Sequence, residues 1–200
     1  MPPISQRQSY NITFDPPPWF APSIANAIGK RPYLYRGDLP SIQSRAIISS
    51  RLKHPLYEQL PWFAALKECL SQASQQTQLI LTIPQTTTHE FIQAQQQKLA
   101  FTLGTIHCYS NPTKWAAIIN KPTFSLSAPY DVLVGPVLNA TTTANKNKLS
   151  NRPALRDQIL IASANIIDVL QLRNNSLCAP LLHNKPTDHV RYLEVKTSTT

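Results

Sequence analysis

The side chains with the most intrinsic chemistry are scattered along this chain. Five histidines, His54, His89, His107, His183 and His189, never fall in the H-x-x-x-H or H-E-x-x-H spacing that would put two imidazoles on one helix face around a metal. Serine is plentiful, yet no G-x-S-x-G elbow exists to expose one as a nucleophile. Cys69, Cys108 and Cys178 are an odd number of thiols without the paired spacing of a zinc site or the density of a disulfide scaffold, and all three read as buried thiols. His107 and Cys108 adjoin inside a predicted strand, where successive side chains point to opposite faces, so they do not read as a thiolate–imidazole pair. The expectation is a protein that is not an enzyme and carries no metal and no cofactor.

Glycine usage bounds the binding chemistry. Only Gly29, Gly37, Gly104 and Gly135 occur in 200 residues, against 18 prolines, whereas ordinary usage is roughly 7% glycine and 5% proline. A backbone that cradles phosphate closely needs positive φ and no Cβ in the way. Neither a G-x-G-x-x-G nor a Walker sequence is present. The charge points the other way: 19 Lys and Arg against 10 Asp and Glu give a formal net charge of +9, which favours approach to polyanions. No apolar run approaches the roughly 18 residues of a membrane span, and the polar start lacks a signal-peptide pattern, so no membrane partner and a cytoplasmic location are expected.

The positioning elements follow from apolar periodicity. Ala46-Ile47-Ile48 reads as a short buried strand, and Pro61 opens a helix with Trp62, Leu66, Leu70 and Ala73 on one face. Leu79 to Ile83 is a second strand, and Thr87 to Glu90 has capping-box spacing before a helix carrying Phe91, Ile92 and Leu99. Further strands are expected at Phe101 to Tyr109, Asp131 to Leu138, Ile166 to Leu172 and Val190 to Val195, with a helix over Pro153 to Ala164. The glutamine-rich runs Ser71 to Gln78 and Gln93 to Gln97 read as solvated helix surface. Strands alternating with helices predict an α/β fold, a mostly parallel sheet covered by helices on both faces in one domain. The expected organisation is a Pro-rich extension over 1–32, with Trp19 and Phe20 packing onto the domain, the domain proper over 33–182, and a C-terminal strand and tail over 183–200.

Three segments carry a resemblance. Tyr33-Leu34-Tyr35-Arg36-Gly37-Asp38-Leu39 is followed by Ala46-Ile47-Ile48-Ser49-Ser50-Arg51; Arg156-Asp157-Gln158-Ile159-Leu160 runs through a helix into Ile166 to Leu170; and Arg173-Asn174-Asn175-Ser176-Leu177 forms a turn. In this order they resemble the DNA-processing protein A family, recombination mediators with a Rossmann-like domain, also found in nucleotide-sensing and cytokinin-activating relatives. The likeness spans roughly Tyr33 to Leu177. Ser49 replaces a family glycine, and Thr82-Ile83-Pro84-Gln85-Thr86 stands where the family has a glycine-rich loop.

The resemblance implies a single-stranded DNA-binding cleft at the carboxyl ends of the strands, with Ser50, Arg51, Arg156 and Ser176 as phosphate contacts, extended by Lys146, Lys148 and Arg152. Two other readings stay open: a structural or regulatory partner that has lost ligand binding and pairs with a second copy or a paralogue, and a sensor of a small nucleotide. The proline-glycine-glycine-x-glycine-threonine loop of the cytokinin-activating relatives is missing, which argues against glycosidic cleavage.

Overall fold

The computed structural model describes residues 10–49, 61–121, 125–137, 153–172 and 175–193. Within them eight strands form one sheet: β1 (Tyr10–Thr13), β2 (Tyr33–Arg36), β3 (Ser44–Ser49), β4 (Leu79–Thr82), β5 (Thr102–Cys108), β6 (Val132–Val134), β7 (Ile166–Gln171) and β8 (Val190–Tyr192). The helices are α1 (Ile24–Ile28), α2 (Pro61–Gln75), α3 (Thr87–Gln96), α4 (Pro112–Ile119), α5 (Leu155–Ser163) and α6 (Ala179–His183). The spatial order is β1-β2-β6-β5-β4-β3-β7-β8. From β6 to β8 all neighbours are parallel; β1 and β2 are antiparallel additions at one edge.

This is the α/β, mostly parallel, Rossmann-like architecture expected. The chain steps from β3 to β6 in one direction, then returns through α5 to set β7 on the other side of β3. The strand order therefore reverses between β3 and β7. In open α/β sheets that reversal opens a crevice beyond the carboxyl ends of the strands, where ligands bind.

Strand alternation sorts the core onto two faces. Ala46, Ile48, Leu79, Leu81, Ile167 and Val169 pack with α1, α5 and α6. Ile47, Ile80 and Leu170 pack against Trp62, Phe63, Leu66, Cys69, Leu70 and Ala73 of α2 and Ile92 of α3. Every apolar residue expected on the inner face of α2 is buried, each contributing about 1.5–3 kcal/mol through lost apolar hydration if large. A smaller cluster of Leu34, Leu126 and Leu133 holds Trp115 of α4.

Residues before Tyr33 are built into this body. Trp19 and Phe20 are buried, and the Trp19 ring meets Tyr35 and Tyr130 edge-on at 5.4 and 5.1 Å. β1 pairs with β2 in register Ile12↔Leu34, and β8 joins β7.

Several local expectations are corrected. The cap of α3 is Thr86, whose hydroxyl accepts from the His89 N–H; Thr87 is already helical, so Glu90 lies one residue beyond the capping-box position. The glutamine runs are not wholly solvated, because Gln78 and Gln95 are buried. Gln78 Oε1 accepts from Arg45 Nε at 2.7 Å, and Gln78 Nε2 donates to Gln43. Arg45 in turn is fully buried against Asp168, whose other oxygen accepts from Arg191 of β8 at 2.7 Å. Of the three cysteines, none in a disulfide, Cys69 is buried, while Cys108 and Cys178 are half-buried.

Candidate ligand crevice

At the carboxyl end of β4 the chain turns through Ile83-Pro84-Gln85 into α3. Gln85 holds φ at +61°, the left-handed region where glycine is the easiest occupant. The turn is tied down from three directions. The Thr86 hydroxyl donates to the Ile83 carbonyl at 2.9 Å and accepts from the His89 N–H at 3.1 Å, while Thr82 Oγ1 and His89 Nδ1 lie 2.9 Å apart. The first turn of α3, Thr87-Thr88-His89, thereby faces the crevice.

Two adjoining cavities occupy this edge. The first, about 350 Å³, is floored by Ile47, Ile48 and Leu81, walled by Thr86, Thr88 and His89, and closed opposite by Arg156, Asp157 and Leu160 of α5 and by Cys178. The second, about 530 Å³, runs beyond β5 and is lined by His107, Tyr109, Asn111 and Lys114. Ile83, Gln85 and Arg156 line both, so the cavities adjoin along this edge as two lobes of a groove with Arg156 between them.

The charges are unevenly placed along it. The first lobe holds Arg156 and the Asp157 carboxylate, 3.6 Å apart. The second lobe holds Arg156 and Lys114 and no carboxylate among its described lining residues. Burial pushes the Asp157 carboxyl above its ordinary range, although Arg156 beside it pulls the other way. Burial likewise lowers His89 and His107, which favours the neutral form of both rings. Burial pushes the Cys108 thiol up to about 12 and raises Cys178 as well, so neither is a ready thiolate. Among the described residues no cluster of three or more His, Cys, Asp or Glu could hold a metal ion.

Of the residues expected at the site, Arg156 lies at the junction of the groove, half-exposed on the first turn of α5. Ser176 sits just before α6, its hydroxyl accepting from the Cys178 N–H at 3.3 Å; Cys178 rather than Ser176 lines the first lobe. Ser50, Arg51, Lys146, Lys148 and Arg152 lie outside the described residues. Sequence reading missed Thr86, Thr88, His89, Lys114 and Asp157 as groove residues. The capping signal near Thr87 was the clue to the first three, since it marks a helix start directly after a strand, at the ligand-binding edge of a parallel sheet. No known protein family, curated protein or solved structure matches this chain.

Proposed function

We propose that this chain is a non-enzymatic binder of single-stranded nucleic acid, held along the carboxyl edge of the sheet. The observation that carries the reading is the adjacency of two cavities on either side of Arg156, which gives room along the edge for an extended ligand rather than a single pocket for a compact one. Helices α3, α4 and α5 all begin at this edge, and their amino ends add positive partial charge to that of Arg156 and Lys114. The net charge of +9 supplies long-range attraction to a polyanion. Half-buried Tyr109 and His107 give ring surfaces on which bases can stack.

A second reading, a structural partner that pairs with another copy or a paralogue, is favoured by Ile12 and Phe14. Both are exposed, on and just after the edge strand β1.

The deciding assay is fluorescence anisotropy of a labelled single-stranded oligonucleotide at two salt concentrations, with a mononucleotide as competitor. Binding is expected to weaken with salt, and Arg156→Ala and Lys114→Ala are each expected to lower the log–log salt slope by about 0.7, the value of one phosphate contact. No binding at low salt refutes the reading. Full competition by the mononucleotide would favour a small-nucleotide sensor instead.

A further inference from the structure

Arg156 and Asp157 are sequence neighbours that face the same lobe, and they would treat a nucleotide differently. A phosphate entering the first lobe would meet the Asp157 carboxylate, whereas in the second lobe it would meet Arg156 and Lys114 with no described carboxylate. The first lobe is otherwise suited to a neutral group, with its floor of Ile47, Ile48 and Leu81 and its wall of threonine hydroxyls and the His89 ring. The Asp157 carboxylate is partly removed from water, Arg156 stands 3.6 Å away, and no hydrogen bond from a described residue reaches it. A half-buried carboxylate accepts hydroxyl donors and repels phosphate.

We infer that the first lobe takes the nucleoside of the bound strand, with the Asp157 carboxylate accepting a hydrogen bond from a ribose 2′-hydroxyl, while the adjoining phosphates run into the second lobe. The groove therefore selects ribonucleotide over deoxyribonucleotide at this position. The 2′-hydroxyl is the group by which a protein separates RNA from DNA, and a carboxylate acceptor is its natural partner. This inference rests on the nucleic-acid reading above and goes beyond it by naming the sugar. Among the described residues, the titratable groups around the carboxylate are Arg156 on the same helix, Cys178 before α6, and Cys108 at the end of β5, with His89 of α3 in the same lobe.

The test compares ribo and deoxyribo oligonucleotides of one sequence on the full chain. Wild type is expected to favour the ribo strand about tenfold, the size of one hydrogen bond to a charged group. Asp157→Ala is expected to equalise the two, by weakening the ribo strand and leaving the deoxyribo strand unchanged or tighter. Asp157→Asn, which keeps an acceptor oxygen, should fall between. Matching urea melts of the variants would exclude a folding defect. Equal ribo and deoxyribo binding by wild type overturns the sugar assignment and leaves nucleic-acid binding standing. A ribo preference that survives Asp157→Ala overturns the role of Asp157. Failure of both strands to bind refutes this inference together with the reading on which it rests.

Discussion

Replacing Asp168 by alanine should be among the most damaging single changes in the sheet. Asp168 is fully buried in β7 and accepts from Arg45 Nη1 on one oxygen and from Arg191 Nε on the other. Its two cations differ in their access to water: Arg45 is 1% exposed and Arg191 38%. Removing the carboxylate strands the Arg45 guanidinium, whose remaining partners among the described residues are the amide oxygens of Gln76 and Gln78. Breaking a buried pair from one side costs about 3–5 kcal/mol, which for a domain of this size lowers Tm by roughly 6–20 °C. Arg191→Ala should cost about 1 kcal/mol or less, because its partner keeps Arg45 and solvent already screens it. The double variant Arg45→Met with Asp168→Ala should recover at least half of the loss, since the stranded charge is gone. Urea denaturation with unchanged m-value measures all three. A loss below about 1 kcal/mol for Asp168→Ala, or a double variant no more stable than Asp168→Ala alone, would refute the reasoning.

Thr77 ends α2 with φ at +52°, where the Gln78 N–H bonds the Ala73 carbonyl and the Thr77 N–H bonds that of Ser74. This is a Schellman end with a β-branched residue in the glycine position, so Thr77→Gly should stabilise by about 0.5–1 kcal/mol in the same melts, relief of left-handed strain minus the added freedom of the unfolded chain. Gly104→Ala should destabilise, because the new Cβ would stand 2.7 Å from the Tyr130 carbonyl oxygen, a backbone atom that cannot swing aside. Falling pH should tighten deoxyribo binding and weaken the ribo preference, measured by titrating affinity downward from pH 8 over the range in which the fold stays intact. The signs agree: Asp157, its pKa raised by burial, loses its negative charge at a higher pH than an ordinary carboxyl, and His89, its pKa lowered by burial, gains its positive charge at a lower pH than an ordinary imidazole, so both changes favour a polyanion as pH falls. Affinity that weakens as pH falls would refute that account of the groove. Cys69 and Cys108, both pushed up to about 12 chiefly by burial, should resist iodoacetamide at pH 8 in the folded protein and react readily in urea.

What the sequence determined by itself is the set of elements whose own side chains dictate their environment. Trp62, Leu66, Leu70 and Ala73 recur at helical spacing and are all buried in α2; Leu79, Ile80 and Leu81 are an apolar run, and Leu79–Thr82 is a strand covered on both faces. Periodicity within ten or fifteen residues carries that information, and the alternation of such elements then limits the sheet to a mostly parallel one. Arg156 is singled out through the family resemblance rather than through periodicity, and it lies between the two cavities.

The rest depended on partners distant in the chain. β1 and β2 join as antiparallel edge strands because Tyr33 and Leu34 find Val134 and Leu133, about a hundred residues away in sequence. Gln78 looks like helix surface until Arg45 is brought beside it, and a buried guanidinium is tolerable only because Asp168, from another strand, arrives on its far side. Asp157 looks like an ordinary first-turn helix acid, and its raised pKa comes from burial after folding. The groove is itself a product of topology. Thr86, Lys114 and Arg156 lie at the starts of three successive helices, and only the return of the chain from β6 to β7 across β3 aims all three at one edge.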